Sequence, residues 1–203
     1  MITGTPGTGK TAASRVLSER TGYLHIELSK LSKEKRFVGG YDKERNAWIV
    51  NLKEVKRYLA SLASTVNSPY IILDGHLAHL VSFKADTEII FILRCHPEEL
   101  EKRLKERGYS GKKLSENILS ELLDTVLIES LSIFPKGITC EIDTTGKEIR
   151  EVVDKMLSIL DGREEKSLGE IDWITMLANK GKLTPLLKRL EGEDYGFPHH
   201  PLQ

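Results

Sequence analysis

The segment Gly4-Thr5-Pro6-Gly7-Thr8-Gly9-Lys10-Thr11 decides how the rest of the chain is interpreted. It matches the phosphate-loop pattern G-x-x-x-x-G-K-[ST] at every fixed position. Glycines let successive backbone N–H groups point inward around phosphate oxygens, and the following helix adds the positive end of its dipole. The pattern predicts a nucleoside triphosphate site, with Lys10 on the β- and γ-phosphates and the Thr11 hydroxyl on Mg²⁺. The alternative is a fortuitous glycine-rich turn.

Strand and helix patterns alternate along the chain. The apolar runs 70–73 and 88–93 predict strands that are buried on both faces, and 1–3 predicts an unusually short strand before the loop. Amphipathic spacing predicts helices, including one long helix over 114–133. This alternation predicts an α/β fold in which helices cover both faces of a parallel sheet.

Composition excludes several classes of protein. The 203 residues include 30 basic and 30 acidic side chains, and this balance argues against general nucleic-acid binding. No apolar run approaches the ~20 residues that a membrane span needs. Cys95 and Cys140 lie in or beside apolar segments, which favours buried free thiols and a cytoplasmic location.

The chain is expected to divide near Asp161. Residues 1–161 would form the phosphate-loop domain, and 162–203 a small helical C-terminal extension with a flexible end at 198–201. Two short helices are predicted, over 168–178 and 183–190. We expect their apolar faces, which include Trp173 and Leu186, to pack on the domain or on a second subunit.

Two residues after the run 70–73 are candidates for the site. Asp74 ends a buried strand, where phosphate-loop proteins often hold the metal through an acidic side chain; a helix-capping Asp is the alternative. His76 either orients a water molecule or contacts the γ-phosphate, and a hydrogen-bonded structural His is the alternative. For His79 the structural interpretation is favoured.

Three arginines form a further group of candidates. Arg103 and Arg107 are four residues apart on one predicted helix, so they share a face. Phosphoryl transfer develops charge that mobile arginines can stabilise. Arg107 is the strongest candidate because a predicted hinge, Gly108-Tyr109, follows it. Solvated surface arginine is the alternative for each of the three, Arg94 included.

Several short motifs follow one another along the chain: the phosphate loop, Gly40-Tyr41-Asp42, Asp74-Gly75-His76, Arg107-Gly108-Tyr109, Lys112-Lys113-Leu114 and Asn117-Ile118. Together they resemble the adenylate kinase 6 (CINAP-type) family, most of all an archaeal member. The resemblance extends over about residues 1–160, and the paired Asp-x-His and Arg-Gly-Tyr elements are more specific than the phosphate loop alone.

The resemblance implies a three-layer α/β/α P-loop NTPase fold of the nucleoside monophosphate kinase type, with a five-stranded parallel sheet. It implies a flap at about 27–50 and a lid at about 106–116. The family is described as having adenylate kinase and ATPase activities. It is also described as acting in small ribosomal subunit maturation by binding the ribosomal protein uS11.

The resemblance also assigns roles to individual residues. Arg107 would contact ATP from the lid, and Lys147 would lie against the adenine. Where the family often has an acceptor-binding Arg in the flap, this chain has Lys33, with Arg36 nearby; lysine offers a point charge without a bidentate fork. The remaining ATP contacts would be Gly7, Gly9, Lys10, Thr11 and Ala12.

Three hypotheses follow. The first is ATP-dependent phosphorylation of a nucleoside monophosphate, with AMP as acceptor and with catalysis by Lys10, Mg²⁺, Arg107 and Arg103. The second is a ribosome-assembly factor that hydrolyses ATP, with His76 positioning the water and uS11 as partner. The third is a kinase for another small metabolite. The role of the extension is open.

Overall fold

The computed structural model describes residues 1–43 and 47–195. Within these residues, seven strands divide into a parallel sheet of five and an antiparallel hairpin of two. The strands are β1 Ile2–Thr3, β2 Leu24–Glu27, β3 Val38–Asp42, β4 Ala47–Val50, β5 Ile71–Asp74, β6 Ile90–Arg94 and β7 Thr139–Asp143. The parallel sheet has the order β2-β5-β1-β6-β7, and β3 pairs with β4.

Helices cover both faces of the parallel sheet and extend beyond it. Those of the described residues are α1 Lys10–Thr21, α2 Leu28–Glu34, α3 Leu52–Ala63, α4 Ala78–Val81, α5 Pro97–Glu106, α6 Gly111–Leu122, α7 Thr125–Ile133, α8 Ile149–Leu160, α9 Trp173–Asn179 and α10 Leu183–Tyr195. Short 3₁₀ turns occur at Lys84–Asp86 and Lys136–Ile138. Helices α1 and α8 pack on one face, and α3, α4 and α7 on the other. The predicted α/β/α layering is therefore confirmed.

Strand β6 shows why the apolar runs mark the centre of the sheet. All five of its residues are buried. Phe91 and Leu93 face the core beneath α1 and α8, whereas Ile90 and Ile92 face the core beneath α7. Successive side chains of a strand point to opposite faces, so a strand covered on both sides needs apolar residues at every position.

The strand that precedes the phosphate loop has two residues, Ile2 and Thr3, and lies between β5 and β6. Ile2 is opposite Asp74 on one side and Phe91 on the other. The Thr3 hydroxyl also donates to the Gly75 carbonyl at 3.1 Å. Longer neighbours on both sides therefore hold the short strand in place.

The prediction of one long helix over 114–133 is wrong. Helix α6 ends at Leu122 and α7 begins at Thr125, because Asp124 between them has a left-handed backbone with φ 54°. The Asp124 carboxylate forms an ion pair with Arg94. The prediction over 168–178 also began too early, since α9 starts at Trp173 with Asp172 accepting a hydrogen bond from Thr175 N at 2.9 Å.

The segment 27–50, predicted as a loosely patterned flap, contains α2, β3 and β4. Leu28 and Leu31 of α2 are buried against α3 and β5. In the hairpin, the rings of Tyr41 and Trp48 meet edge to face with centroids 5.0 Å apart. Residues 44–46 of this segment, and the flexible end predicted at 198–201, lie outside the described residues.

Helices α9 and α10 of the extension pack against α5 and α6. Trp173, Leu177, Leu186 and Leu190 are buried in one cluster with apolar residues of those helices, whereas Ile174 is exposed. Before α9, the carbonyl of Ser167 accepts a hydrogen bond of 2.8 Å from Glu141 N on the edge strand β7. Of the described residues, none belongs to a helix with both the length and the apolar character that crossing a bilayer requires.

Candidate functional site

The phosphate loop connects β1 to α1 at the carboxyl edge of the sheet, the edge at which open α/β sheets bind ligands. Gly4 has φ 138°, and a Cβ there would overlap the Leu93 carbonyl oxygen. Gly7 has φ 92°, and a Cβ there would lie 2.8 Å from Leu100 Cδ1. Both positions therefore require glycine, for backbone conformation and for space.

Lys10 begins α1 and its side chain folds back over the loop. Its Nζ donates to the Thr5 carbonyl at 2.8 Å, and only 8% of the residue is exposed. Burial lowers the pKa of Lys10 to about 8; the charges of Asp74 and Glu121 oppose this shift and that of Arg107 adds to it. The ammonium group thus lies where Asp74 and Arg107 both act on it.

Thr11 and Asp74 are brought together as the motif predicts. The Thr11 hydroxyl donates to Asp74 Oδ2 at 2.7 Å, and Asp74 is fully buried. The other oxygen, Oδ1, lies 2.8 Å from Nε2 of His25, a residue of β2 that sequence reasoning missed. A histidine between the apolar residues Leu24 and Ile26 of a strand beside β5 was the available signal.

These oxygen atoms fit a magnesium ion. Mg²⁺ prefers oxygen ligands, keeps several waters and takes one or two protein groups together with substrate phosphates. Thr11 and Asp74 supply such a pair. Within residues 1–43 and 47–195 no group of three His, Cys, Asp or Glu side chains is arranged to hold a metal. Thr11 and Asp74 would therefore hold the ion jointly with the nucleotide.

The two histidines after β5 have different surroundings. His76 retains an exposed surface, yet desolvation by the protein around it, with the positive charges of Lys10 and His79, lowers its pKa to about 4. It is therefore neutral at pH 7. His79 is buried, with Nδ1 3.3 Å from Thr3 Oγ1 and Nε2 2.9 Å from Glu129 Oε2. Its two contacts agree with the structural role favoured for it.

The arginine candidates separate into three different environments. Arg107 directly follows α5 as its C-terminal cap, is exposed, and its charge contributes to lowering the pKa of Lys10. Arg103 is half-buried, and its Nη2 donates to the Thr144 carbonyl at 3.0 Å and pairs with Glu99. Its Nη1 lies 3.5 Å from the Gly7 carbonyl. Arg103 therefore lies beside the loop.

Arg94 is not a surface residue. It is 2% exposed and forms ion pairs with Glu121, Asp124 and Glu141. Burial opposes its charge, but the three carboxylates outweigh that effect and raise the pKa of Arg94. The surface alternative for Arg94 is therefore wrong, because its acidic partners lie far away in the chain and were not evident from the sequence. Its candidate role in phosphoryl transfer stays a prediction.

The turn after β7 forms the opposite wall of the loop. The Thr144 hydroxyl is within hydrogen-bonding distance of the Thr8 carbonyl, 3.2 Å, and of the Arg94 carbonyl, 2.9 Å. Lys147 is exposed and its Nζ donates to the Asp143 carbonyl at 2.8 Å. Ala12 is exposed on the first turn of α1. The structure thus places Ala12 and Lys147 on elements that adjoin the loop, and their contacts with ATP stay predictions.

The two acceptor-binding candidates lie in the flap segment. Lys33 is exposed on α2, and Arg36 follows that helix with a left-handed backbone of φ 57°. Both residues lie in the segment that connects β2 to the β3–β4 hairpin. Strand β2 pairs with β5, which carries Asp74. Their role in acceptor binding stays a prediction.

Comparison with known proteins shows to which family the chain belongs. A family model described as an AAA domain matches residues 1–124. A protein of Thermococcus onnurineus named "Putative adenylate kinase" is 38% identical over 172 residues, 85% of this chain and 89% of the relative. One of the same name from Methanosarcina barkeri is 39% identical over 184 residues, 87% of this chain and 97% of the relative. The chain belongs to the family of these proteins.

A solved structure agrees with this family on the fold. The shikimate kinase from Bacteroides thetaiotaomicron superposes with a TM-score of 0.52 at 18% identity, covering 79% of this chain and 96% of the other. The chain therefore has the three-layer P-loop kinase fold, as predicted.

Proposed function

We propose that the chain is an ATP-dependent nucleoside monophosphate kinase of the adenylate kinase 6 type, with AMP as acceptor. The convergence of Lys10, Thr11 and Asp74 at the carboxyl edge of the sheet carries this proposal. The name of the relatives, "Putative adenylate kinase", supports the choice of acceptor.

In this proposal the chain binds and orients two anionic substrates. Backbone N–H groups of the loop and the start of α1 receive the phosphates of ATP. Lys10 approaches the β- and γ-phosphates, and Thr11 with Asp74 would hold Mg²⁺. The ion, when bound, neutralises charge on the phosphate oxygens.

The transfer itself needs no strong general base, because the acceptor phosphate of AMP is already an anion. An oxygen of that phosphate forms a bond to Pγ as the bond from Pγ to the β–γ bridging oxygen breaks, leaving two ADP molecules. Arg107 and Arg103 stabilise the charge that develops on the transferred group. Lys33 and Arg36 bind the acceptor phosphate, and Lys147 lies against the adenine.

A coupled assay of ADP formation with and without AMP tests the proposal. We expect ADP formation to depend on AMP, and Arg107→Ala to lower kcat by roughly 10²- to 10³-fold, as removal of one transition-state donor does. Because Arg107 is exposed, the Tm of the Arg107→Ala variant should equal that of the unaltered protein. Arg107→Lys is the matched variant that retains the charge. ATP consumption that ignores every nucleoside monophosphate would contradict the proposal.

We propose ATP hydrolysis as a second activity, with His76 positioning the water. Desolvation and the positive charge of Lys10 lower the pKa of His76 to about 4, so the ring is neutral at pH 7. A neutral imidazole can accept a hydrogen bond from an attacking water. We expect His76→Ala to abolish AMP-independent hydrolysis and retain AMP phosphorylation. Loss of both activities in parallel would contradict separate roles.

A function in ribosomal subunit maturation, through uS11, stays a prediction that a pull-down with and without ATP would test.

A further inference from the structure

A buried carboxylate, Glu121, connects the phosphate loop to the C-terminal extension. Glu121 lies on α6 and is 2% exposed. Its Oε2 accepts a hydrogen bond of 2.6 Å from the Thr5 hydroxyl in the loop, and its Oε1 accepts one of 3.0 Å from the indole N–H of Trp173 on α9. One side chain thus joins two segments that lie at opposite ends of the chain.

Thr5 is also the residue on which Lys10 depends. The Thr5 carbonyl accepts hydrogen bonds from Lys10 Nζ at 2.8 Å and from the Thr8 hydroxyl at 2.9 Å. Thr5 is 1% exposed, so no solvent competes for these bonds. Any displacement of Thr5 therefore moves the acceptor that fixes the Lys10 ammonium group.

Both oxygens of Glu121 are fixed by donors. Besides Trp173, Oε1 accepts from Arg94 Nε at 2.8 Å and from Cys95 N at 3.1 Å. An ionised carboxylate is an acceptor only, and bonds to charged donors are strong and directional. With three donors on Oε1, the position of Oε2, and therefore of Thr5, is determined.

We propose that Glu121 is a positioning residue for the phosphate loop, and that Trp173, together with Arg94 and Cys95, sets the orientation in which Glu121 holds Thr5. The inference rests on the ATP binding proposed above. It gives the extension a part in building the nucleotide site, in addition to covering apolar surface of α5 and α6.

Trp173→Phe is the direct test, because phenylalanine retains an aromatic ring for packing and lacks the N–H donor. We expect the Kd for an ATP analogue with a non-cleavable β–γ bridge to rise about three- to tenfold, the size typical of coupling through a network. Thr5→Val should raise the Kd by a similar factor, whereas Thr5→Ser, which retains the hydroxyl, should leave the Kd near that of the unaltered chain. The matched control is Leu186→Val, which loses packing in the same cluster without touching Glu121.

A double-mutant cycle separates positioning from general loss of packing. Thr5 and Trp173 bond to different oxygens of Glu121, so the effect of Trp173→Phe should fall below twofold in the Thr5→Val background. Additive effects, or an unchanged Kd in Trp173→Phe, would overturn the inference and leave the proposed function intact. Failure of the unaltered chain to bind the analogue would overturn both.

Discussion

The Thr11 hydroxyl donates a 2.7 Å hydrogen bond to Asp74 Oδ2, which connects the first turn of α1 to the end of β5. Strand β1 lies beside β5 in the sheet and leads directly into the phosphate loop. The second Asp74 oxygen lies 2.8 Å from His25 Nε2. The carboxylate is therefore oriented on both sides before any ligand arrives.

Asp74→Asn should weaken the response to magnesium. Asparagine retains the shape and one acceptor oxygen but lacks the negative charge that attracts the ion. We expect the Mg²⁺ concentration for half-maximal ADP formation to rise by about 10- to 100-fold, as for other groups that orient a metal. Thr11→Ser, which retains the hydroxyl, is the matched control. An unchanged Mg²⁺ dependence in Asp74→Asn would remove Asp74 from the metal site.

The pKa of Lys10 predicts how ATP binding depends on pH. Burial lowers this pKa to about 8, so Lys10 loses its charge in the free protein as pH rises through 8. We expect the affinity for ATP to fall above that pH, by up to about tenfold per pH unit. Titrations with ATP at several values between about pH 7 and about pH 9.5, on both sides of that pKa, would measure the change in affinity.

Lys10→Arg provides the control, because a guanidinium stays charged throughout this range. Its ATP affinity should be weaker but independent of pH; the same decline in both proteins would contradict the assignment.

The stability of the unliganded protein should increase over the pH range in which its affinity for ATP falls. Since the folded pKa lies below the unfolded value of 10.5, the unfolded chain binds more protons above pH 8, and the free energy of unfolding rises through that window.

Gly4→Ala should destabilise the fold. The new Cβ would overlap the Leu93 carbonyl oxygen of β6, and φ 138° is unfavourable for any side chain. We expect a loss of about 2–4 kcal/mol in the free energy of unfolding, from overpacking and backbone strain together. Gly22→Ala is the matched control: its φ is 73°, but nothing lies within 4 Å of the added atom. Equal losses in denaturant titrations would show that strain alone decides.

Arg94→Met should destabilise the fold by about 3–5 kcal/mol, because three acidic side chains would lose their common partner in the interior. Arg20→Met is the control, since Arg20 forms an exposed pair with Asp154, which contributes about 1 kcal/mol or less. Denaturant unfolding of both variants measures the difference. Similar losses would mean that burial of Arg94 adds nothing.

Local patterns were sufficient to predict the layers of the fold and the core of the site. The fixed residues of the phosphate loop specify its geometry, and the apolar runs that end in Asp74 and Arg94 specify buried strands at its sides. The Thr11–Asp74 contact followed from these two patterns, because the carboxyl ends of parallel strands meet at one edge.

Contacts between distant segments could not be predicted in this way. His25, Glu121 and Trp173 gain their roles from partners far away in the chain. The interruption at Asp124 has the same origin, since apolar spacing continues through it and an ion pair to Arg94 accompanies the left-handed turn. Periodicity records which side of a helix is buried but not what a polar group will meet there.

The two-residue strand β1 has a consequence for the order of folding. Ile2 pairs with Asp74 and Phe91, and both contacts close long loops of chain. During synthesis the phosphate loop is made before β5 and β6, the strands that hold it in place. The loop can adopt its binding shape only once β6 has been translated, so a nascent chain shorter than this would not retain ATP on an affinity column. Nucleotide could thus stabilise only chains in which the sheet has already assembled.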